Sequence, residues 1–225
     1  MHPDVLALFD LDNTLLPFDT DEQWVRFMLD CMELDAVEYA AASDDLARRY
    51  KRGEAGAYEF TEFYVSVLRG RSLVDMHRLH ERFMAERVRP AVDDRARALV
   101  EKHKGLGHMV VLTTATSRFL SGPIAAELGF EHHIATELEI ANDAFTGRIL
   151  GPPNMREGKV ERLLTWLASR GLRLANFRET WFYSDSQNDI PLLSHVTHPV
   201  AVNPDMVLAA HARHHGWPQI SLGDA

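Results

Sequence analysis

Val5-Leu6-Ala7-Leu8-Phe9-Asp10-Leu11-Asp12-Asn13-Thr14 is the stretch on which the reading of this chain turns. Residues 5–9 form an unbroken apolar run with a β-branched and an aromatic member, and the run stops abruptly at a carboxylate. A short apolar run of this kind reads as a buried strand that delivers Asp10 at its C-terminal end, with Asp12 two residues beyond. Pro17 then breaks the local pattern and the sequence changes character.

From Thr20 onward the periodicity is helical. Thr20 with Gln23 reads as a capping box, opening a helix whose apolar residues Trp24, Phe27, Met28 and Cys31 share one face. A less regular stretch runs through Tyr39, Leu46 and Tyr50. Phe60, Phe63, Tyr64, Val67 and Leu68 repeat the amphipathic spacing up to Gly70, and Ser72 can cap a further helix carrying Met76, Leu79 and Phe83. With no convincing strand between them, these segments predict an all-helical insert over 18–89, ending near Pro90.

After Pro90 helix and strand alternate. The pattern predicts a helix near Val92 to Lys104, a strand from Met109 to Thr113, and a helix stopped by Gly129. A strand starting at Ile134 comes next, then a hairpin turning at Asn142-Asp143. A helix with Val160, Leu163, Leu164 and Leu167 on one face leads to the strand Trp181 to Ser184. A strand from Pro199 to Val202 and a last helix from Asp205 to Arg213 complete the order. Repeated strand–helix–strand units mean a parallel sheet flanked by helices, an α/β Rossmann-like core formed by 1–17 and 90–225. Ligands of such sheets bind beyond the carboxyl ends of the strands.

The acidic residues fall at those ends. Asp10 closes the first strand, Asp12 follows, Asp185 closes the Trp181 to Ser184 strand, and Asp189 lies just beyond. Carboxylates crowded at one sheet edge repel one another, and a bound divalent cation relieves them. Oxygen ligands without His or Cys suit Mg²⁺ better than zinc. One such Asp could merely cap a helix after a strand; the set at matching ends reads as a site.

The totals bound the partners. The chain has 225 residues, enough for a core domain with a smaller one inserted, and 46% are hydrophobic. A formal charge of -9 argues against nucleic acid or an anionic membrane, but not against a small anionic substrate held by local cations or a metal. Cys31 is the only cysteine, so no intrachain disulfide forms. Met1-His2-Pro3-Asp4 carries no signal-peptide pattern and no apolar run reaches the length of a membrane span, so a cytoplasmic protein is expected. Oligomeric state is not legible.

Asp10-Leu11-Asp12-Asn13-Thr14 resembles motif I of the haloacid dehalogenase superfamily, in the Asp-x-Asp form of its phosphatases. Thr114 resembles the motif II hydroxyl residue, although Thr113 and Thr116 compete for that place. Lys159 resembles the motif III lysine, and Asp185-Ser186-Gln187-Asn188-Asp189 resembles motif IV. The motifs occur in order along the whole chain, and the helical insert sits where the phosphoserine-phosphatase-like subfamily, which includes histidinol-phosphate phosphatases, carries its cap.

The resemblance implies a Mg²⁺-dependent phosphomonoester hydrolase. Asp10 would be the nucleophile that forms an aspartyl phosphate, and Asp12 the acid and then the base. Lys159, the Thr114 hydroxyl and neighbouring backbone, Ala115 included, would hold the phosphoryl oxygens. The Asp10 carboxylate, the Asp12 carbonyl and Asp185 would bind the metal, with Asp189 direct or through water. Asn188 could bind phosphate or cap the helix at Ile190.

In phosphoserine phosphatases an acidic residue after motif I meets the substrate amine and a cap arginine meets its carboxylate. Asp19 is the candidate for the first, with Asp21 next. Tyr64 falls at the arginine's place, and Arg69 or Arg71 could substitute only with a shifted register. An acidic contact without an arginine favours an amine- or imidazole-bearing substrate such as histidinol phosphate over phosphoserine. A dehalogenase does not need Asp12. A phosphonate hydrolase needs a cap lysine, for which Lys51 is the lone, exposed-looking candidate. A phosphate-accepting signalling module explains Asp10 and Lys159 but neither Asp12 nor the insert. The pairs His77 and His80, His132 and His133, and His211 and His215 read as surface residues without acidic or cysteine partners.

Overall fold

The computed structural model describes residues 3–52, 54 and 56–222; the side chains of Tyr50, Lys51 and Ala57 lie outside that description. The expectations for Met1 and His2, for Tyr50 as a cap core residue and for Lys51 as an exposed cap lysine therefore fall outside the described residues.

Strand β1 (Val5–Phe9) is buried throughout. Helices α1 (Thr20–Asp30), α2 (Ala36–Lys51), α3 (Ala57–Ser66) and α4 (Leu73–Phe83) follow with no strand between them. A π-helical turn, Met84–Val88, joins α4 to the short α5 (Arg89–Ala91), and α6 (Asp94–Gly105) precedes β2 (Met109–Ser117). Then come α7 (Arg118–Glu127), β3 (His132–Thr136), β4 (Leu138–Ala141), β5 (Ala144–Ile149), α8 (Glu157–Ala168), β6 (Glu179–Ser184), α9 (Ile190–Leu193), β7 (His198–Val202), α10 (Met206–His215) and β8 (Gln219–Ile220).

The main sheet has six strands in the order β3-β2-β1-β6-β7-β8, all paired in parallel. The hairpin β4–β5 is a separate antiparallel pair. Asn142 and Asp143 turn it with φ 51 and 58, the positive values a tight hairpin requires and Asn and Asp tolerate. One apolar cluster packs Phe9 and Leu112 from the sheet together with Trp24, Phe27, Met28, Leu79 and Phe83 from the helices after β1. A second cluster, with Leu6, Leu8, Leu163, Leu167 and Phe182, covers the other face. Both faces of the sheet are thus buried, as its nearly continuous apolar strands require.

Strand β8 extends the sheet beyond the pattern reading, and four further differences concern residues named in it. Thr20 is not the cap of α1: Asp19 is, accepting from the Glu22 amide at 2.9 Å, and the Thr20 hydroxyl is used elsewhere. Strand β2 runs to Ser117 rather than Thr113, with a register shift against β3 between those residues. Leu164 is exposed, so the buried face of α8 is Val160, Leu163 and Leu167. His80 is core, 2% exposed, because it follows Met76 by four and precedes Phe83 by three on the apolar side of α4. There Nε2 donates to the Leu120 carbonyl at 3.0 Å, and the ring meets Trp24 and Phe119.

Candidate active site

The sheet order puts β1 between β2 and β6, so the chain builds outward through β2 and β3 on one side of β1 and then crosses to β6 on the other. That reversal opens a crevice at the carboxyl ends of the strands. Asp10 emerges there, its amide donating to the Tyr183 carbonyl at 2.9 Å, and Asp185 ends the neighbouring β6. The convergence expected from strand ends is present for this pair.

The turn after Asp10 is tight. The Leu11 carbonyl accepts from the amides of Thr14, Leu15 and Leu16, and Asn13 takes φ 54, which asparagine adopts more readily than most residues. The turn lets Asp12 meet donors from two distant segments. Its Oδ1 accepts from the Thr20 amide at 2.9 Å and from the Thr20 hydroxyl. Its Oδ2 accepts from Thr116 Oγ1 at 2.5 Å and Thr114 Oγ1 at 3.4 Å. The irregular end of β2 supplies these hydroxyls, a common use of a bulge beside a site. The three competing threonines therefore part company: Thr113 is buried and accepts from Asn154 Nδ2 at 3.1 Å, while Thr114 and Thr116 face Asp12.

Lys159 enters from the first turn of α8 and is 2% exposed. Its ammonium donates to Asp10 Oδ1 at 2.9 Å and to Asp189 Oδ2 at 2.7 Å. Asp189 Oδ2 also accepts from Ser184 Oγ at 2.7 Å. The glycine before Lys159 has a physical reason: a Cβ at Gly158 would lie 2.5 Å from the Pro153 carbonyl oxygen, so only glycine lets the preceding loop close onto the helix start.

Electrostatics follow from burial and crowding. Burial drives the Asp10 pKa well up, Lys159 opposes it, and Asp189, Asp185 and Asp12 add to the rise. For Lys159, burial works against the charge, but Asp10 and Asp189 outweigh it and the pKa ends raised. Asp185 is pushed to about 7 by burial, tempered by the Thr14 hydroxyl that donates to its Oδ1 at 3.1 Å. Asp19 is also pushed to about 7, by burial and then Asp12.

A cavity of about 400 Å³ opens at this edge, lined by Asp12, Asp19, Asp21, Phe60, Thr61, Tyr64, Ala115, Thr116, Met155, Arg156 and Asn188. Of the expected residues, Asp12, Ala115, Asn188 and Asp19 line it directly. Asp10, Thr114, Lys159 and Asp189 are buried and stand next to the lining through Asp12, Ala115 and Asn188. Asn188 is not a helix cap: the cap position of α9 is Asp189, and Asn188 Oδ1 accepts from Arg156 Nε at 3.1 Å. Tyr64 lines the cavity as expected. Arg71 does not; it pairs with Glu33 at 2.7 Å within the helical insert.

Among the described residues no three His, Cys, Asp or Glu side chains form a metal cage. Both Asp12 oxygens accept from hydroxyls, and Asp189 Oδ2 accepts from Lys159 and Ser184. Asp10 and Asp185 follow adjacent strands, and Asp185 adds to the rise in the Asp10 pKa. Two carboxylates with a backbone carbonyl fit Mg²⁺, which binds through one or two carboxylates and keeps several waters.

Sequence reasoning missed the roles of Thr20 and Arg156. Thr20 was absorbed into a capping pattern that fits it equally well, and Arg156 lies in a loop with no periodicity to place it.

The family model for haloacid dehalogenase-like hydrolases matches residues 7–194, from β1 to the end of α9. The chain belongs to that family. The haloacid dehalogenase-like hydrolases most similar to it include the histidinol-phosphatase of Neisseria meningitidis, 38% identical over 96% of this chain and 98% of that protein. A phosphoserine phosphatase of Mycobacterium tuberculosis is 31% identical over 94% of this chain and 68% of its own length. A Bordetella pertussis protein of unknown function superposes with a TM-score of 0.92 at 44% identity, covering 97% of this chain and 98% of that one. A phosphoserine phosphatase trapped as a phospho-aspartyl intermediate analogue shares the fold, with a TM-score of 0.65 at 17% identity over 100% of this chain and 95% of its own. The expected fold, family and hydrolytic phosphatase class are borne out. No helix among the described residues is long and apolar enough to cross a membrane.

Proposed function

We propose that this chain hydrolyses a small phosphomonoester through an aspartyl-phosphate intermediate, with Asp10 as the nucleophile. The observation that carries the reading is the buried Lys159 bridge between Asp10 and Asp189, set beside a cavity into which Asp12 projects. Lys159 engages Oδ1 of Asp10, and Oδ2 makes no hydrogen bond to the described residues. Oδ2 is the oxygen assigned to attack phosphorus in line. Asp12, oriented by Thr20 and Thr116, protonates the leaving oxygen and then takes the proton of the attacking water. The Lys159 ammonium and the Thr114–Ala115 segment receive the charge that develops on the phosphoryl oxygens. Together these groups must lower a barrier by on the order of 20 kcal/mol.

Asp10, Asp185 and the Asp12 carbonyl would hold Mg²⁺, with Asp189 left for an indirect contact because Lys159 and Ser184 occupy its Oδ2. When bound, the ion supplies positive charge to the phosphoryl oxygens. Residues 18–89 are assigned as a cap over a core of 1–17 and 90–225, closing the cavity from the side of Phe60, Thr61 and Tyr64. A cytoplasmic setting is inferred from the lone cysteine.

The substrate proposed is a small phosphorylated amine or imidazole, histidinol phosphate ahead of phosphoserine. Support comes from the acidic wall of Asp19 and Asp21 at the start of α1, from the absence of both Arg69 and Arg71 of the insert from the cavity lining, and from the activity named for the Neisseria relative. The test is phosphate release from histidinol phosphate, phosphoserine, sugar phosphates and nucleotides, with Mg²⁺ and with EDTA. EDTA-sensitive turnover led by histidinol phosphate is expected. Turnover led by phosphoserine reverses the ranking, and silence across the panel from folded, metal-loaded protein removes the phosphatase reading.

A further inference from the structure

The loop that seats Lys159 delivers a second cation to the cavity. Arg156 stands at the N-terminal cap position of α8 with φ 53 and ψ -128, a backbone region that glycine occupies freely and other residues adopt only under strain. The surrounding loop enforces it. On one side buried Asn154 donates through Nδ2 to Thr113 Oγ1, the Thr114 carbonyl and the Ile134 carbonyl at 3.1, 2.9 and 3.2 Å. On the other, Gly158 closes onto the Pro153 carbonyl. The chain on both sides of residue 156 is thereby anchored.

The guanidinium so placed lines the cavity. Its Nε donates to Asn188 Oδ1 at 3.1 Å, and it makes no ion pair with any described residue, although Asp12, Asp19 and Asp21 line the same cavity. Engagement of Oδ1 by Arg156 fixes the amide of Asn188 with Nδ2 as its remaining donor. Two contacts therefore run in parallel from the start of α8 to motif IV: Lys159 to Asp189, and Arg156 to Asn188.

We propose that Arg156 binds the substrate's phosphoryl group, its terminal guanidinium nitrogens and Asn188 Nδ2 together receiving the non-bridging oxygens. A planar fork of donors suits that group. The phosphoryl end is favoured over a substrate carboxylate because Asn188 adjoins Asp189, which Lys159 ties to Asp10. The cavity is then polarised, with its cationic wall beside the nucleophile and its acidic wall on α1. The inference rests on the phosphatase reading.

The test compares the Mg²⁺-loaded parent with Arg156→Gly and Arg156→Lys. Thermal melts, kinetics on p-nitrophenyl phosphate, histidinol phosphate and phosphoserine, and calorimetric binding of inorganic phosphate are measured for each. Arg156→Gly is expected to melt no lower than the parent, since glycine relieves the backbone. Its KM is expected to rise by about 10-fold or more for every substrate the parent turns over, with a matching loss of inorganic phosphate affinity, and Arg156→Lys is expected to fall between. Unchanged KM and phosphate affinity overturn the proposal, as does a loss confined to phosphoserine, which assigns Arg156 to a carboxylate. A parent that turns over nothing sinks the phosphatase reading alone: phosphate binding weakened by Arg156→Gly still supports the anion site, and binding left unchanged overturns it.

Discussion

The ammonium of Lys159 lies 2.9 Å from Asp10 Oδ1, with Lys159 2% and Asp10 7% exposed. Substituting Lys159 by alanine leaves Asp10 and Asp189 buried without their cation. Loss of one partner of a buried pair costs about 3–5 kcal/mol, and removal of a group that receives developing charge costs about 10²–10³ in kcat. Chemical denaturation and steady-state kinetics of Lys159→Ala are expected to show both losses; full activity would remove Lys159 from the phosphoryl site.

Thr116 and Thr113 separate orientation from packing. Thr116→Val removes the hydroxyl 2.5 Å from Asp12 Oδ2 and is expected to lower kcat by about 10-fold with little change in KM. Thr113→Val strips Asn154 of one acceptor and is expected to lower stability by about 1 kcal/mol, kcat being kept. Equal kinetic effects from the two would refute the division.

Asp19 serves α1 as a cap and the cavity as a charge. Asp19→Asn keeps an oxygen to accept from the Glu22 amide, so the melting temperature is expected to hold. For an amine-bearing substrate KM is expected to rise by about 10-fold while p-nitrophenyl phosphate is unaffected. Identical KM changes for both substrates would take Asp19 out of amine recognition.

Asp185 carries a pKa raised to about 7. A carboxylate whose folded value exceeds its unfolded value, 3.8, makes the metal-free protein less stable as pH rises from about 4 through 7. At pH 8, Asp185→Asn is therefore expected to melt higher than the parent without metal, and to gain less from added Mg²⁺. Equal Mg²⁺ stabilisation of both proteins would exclude Asp185 as a ligand.

Burial lowers the His80 pKa to about 4 from 6.5. Between those values the unfolded chain binds the proton more readily, so this residue's contribution to stability falls as pH drops through that window. His80→Gln, which can still donate to Leu120, is expected to lose less stability than the parent between pH 7.5 and 5, by on the order of 1–3 kcal/mol. The opposite slopes of Asp19 and Asp185 are common to both proteins and cancel in the difference.

Much of the site was legible because its residues end strands. Asp10 and Asp185 follow runs whose apolar character marks them as central strands, and a parallel sheet aligns such ends whatever the loops do. Lys159 was legible by its motif, and Gly158 by its neighbour. Asp12 was found as a residue but not in its surroundings: its partners Thr20 and Thr116 are 8 and 104 positions away. His80 was misplaced by its polarity, although Met76, Leu79 and Phe83 trace the buried face on which it sits.

Local chain chemistry thus determined the parallel sheet, the helical run between β1 and β2, and the carboxylates at the strand ends. These follow from hydrophobic period and strand termination, which each segment carries within itself. Tertiary structure alone decided that Asp12 is held by the Thr20 and Thr116 hydroxyls and that Lys159 bridges Asp10 to Asp189, that Asp19 rather than Thr20 caps α1, and that Arg156 lines the cavity. Those outcomes depend on which donors meet across long sequence separations and on the backbone angles a packed loop imposes, and neither has a local signature.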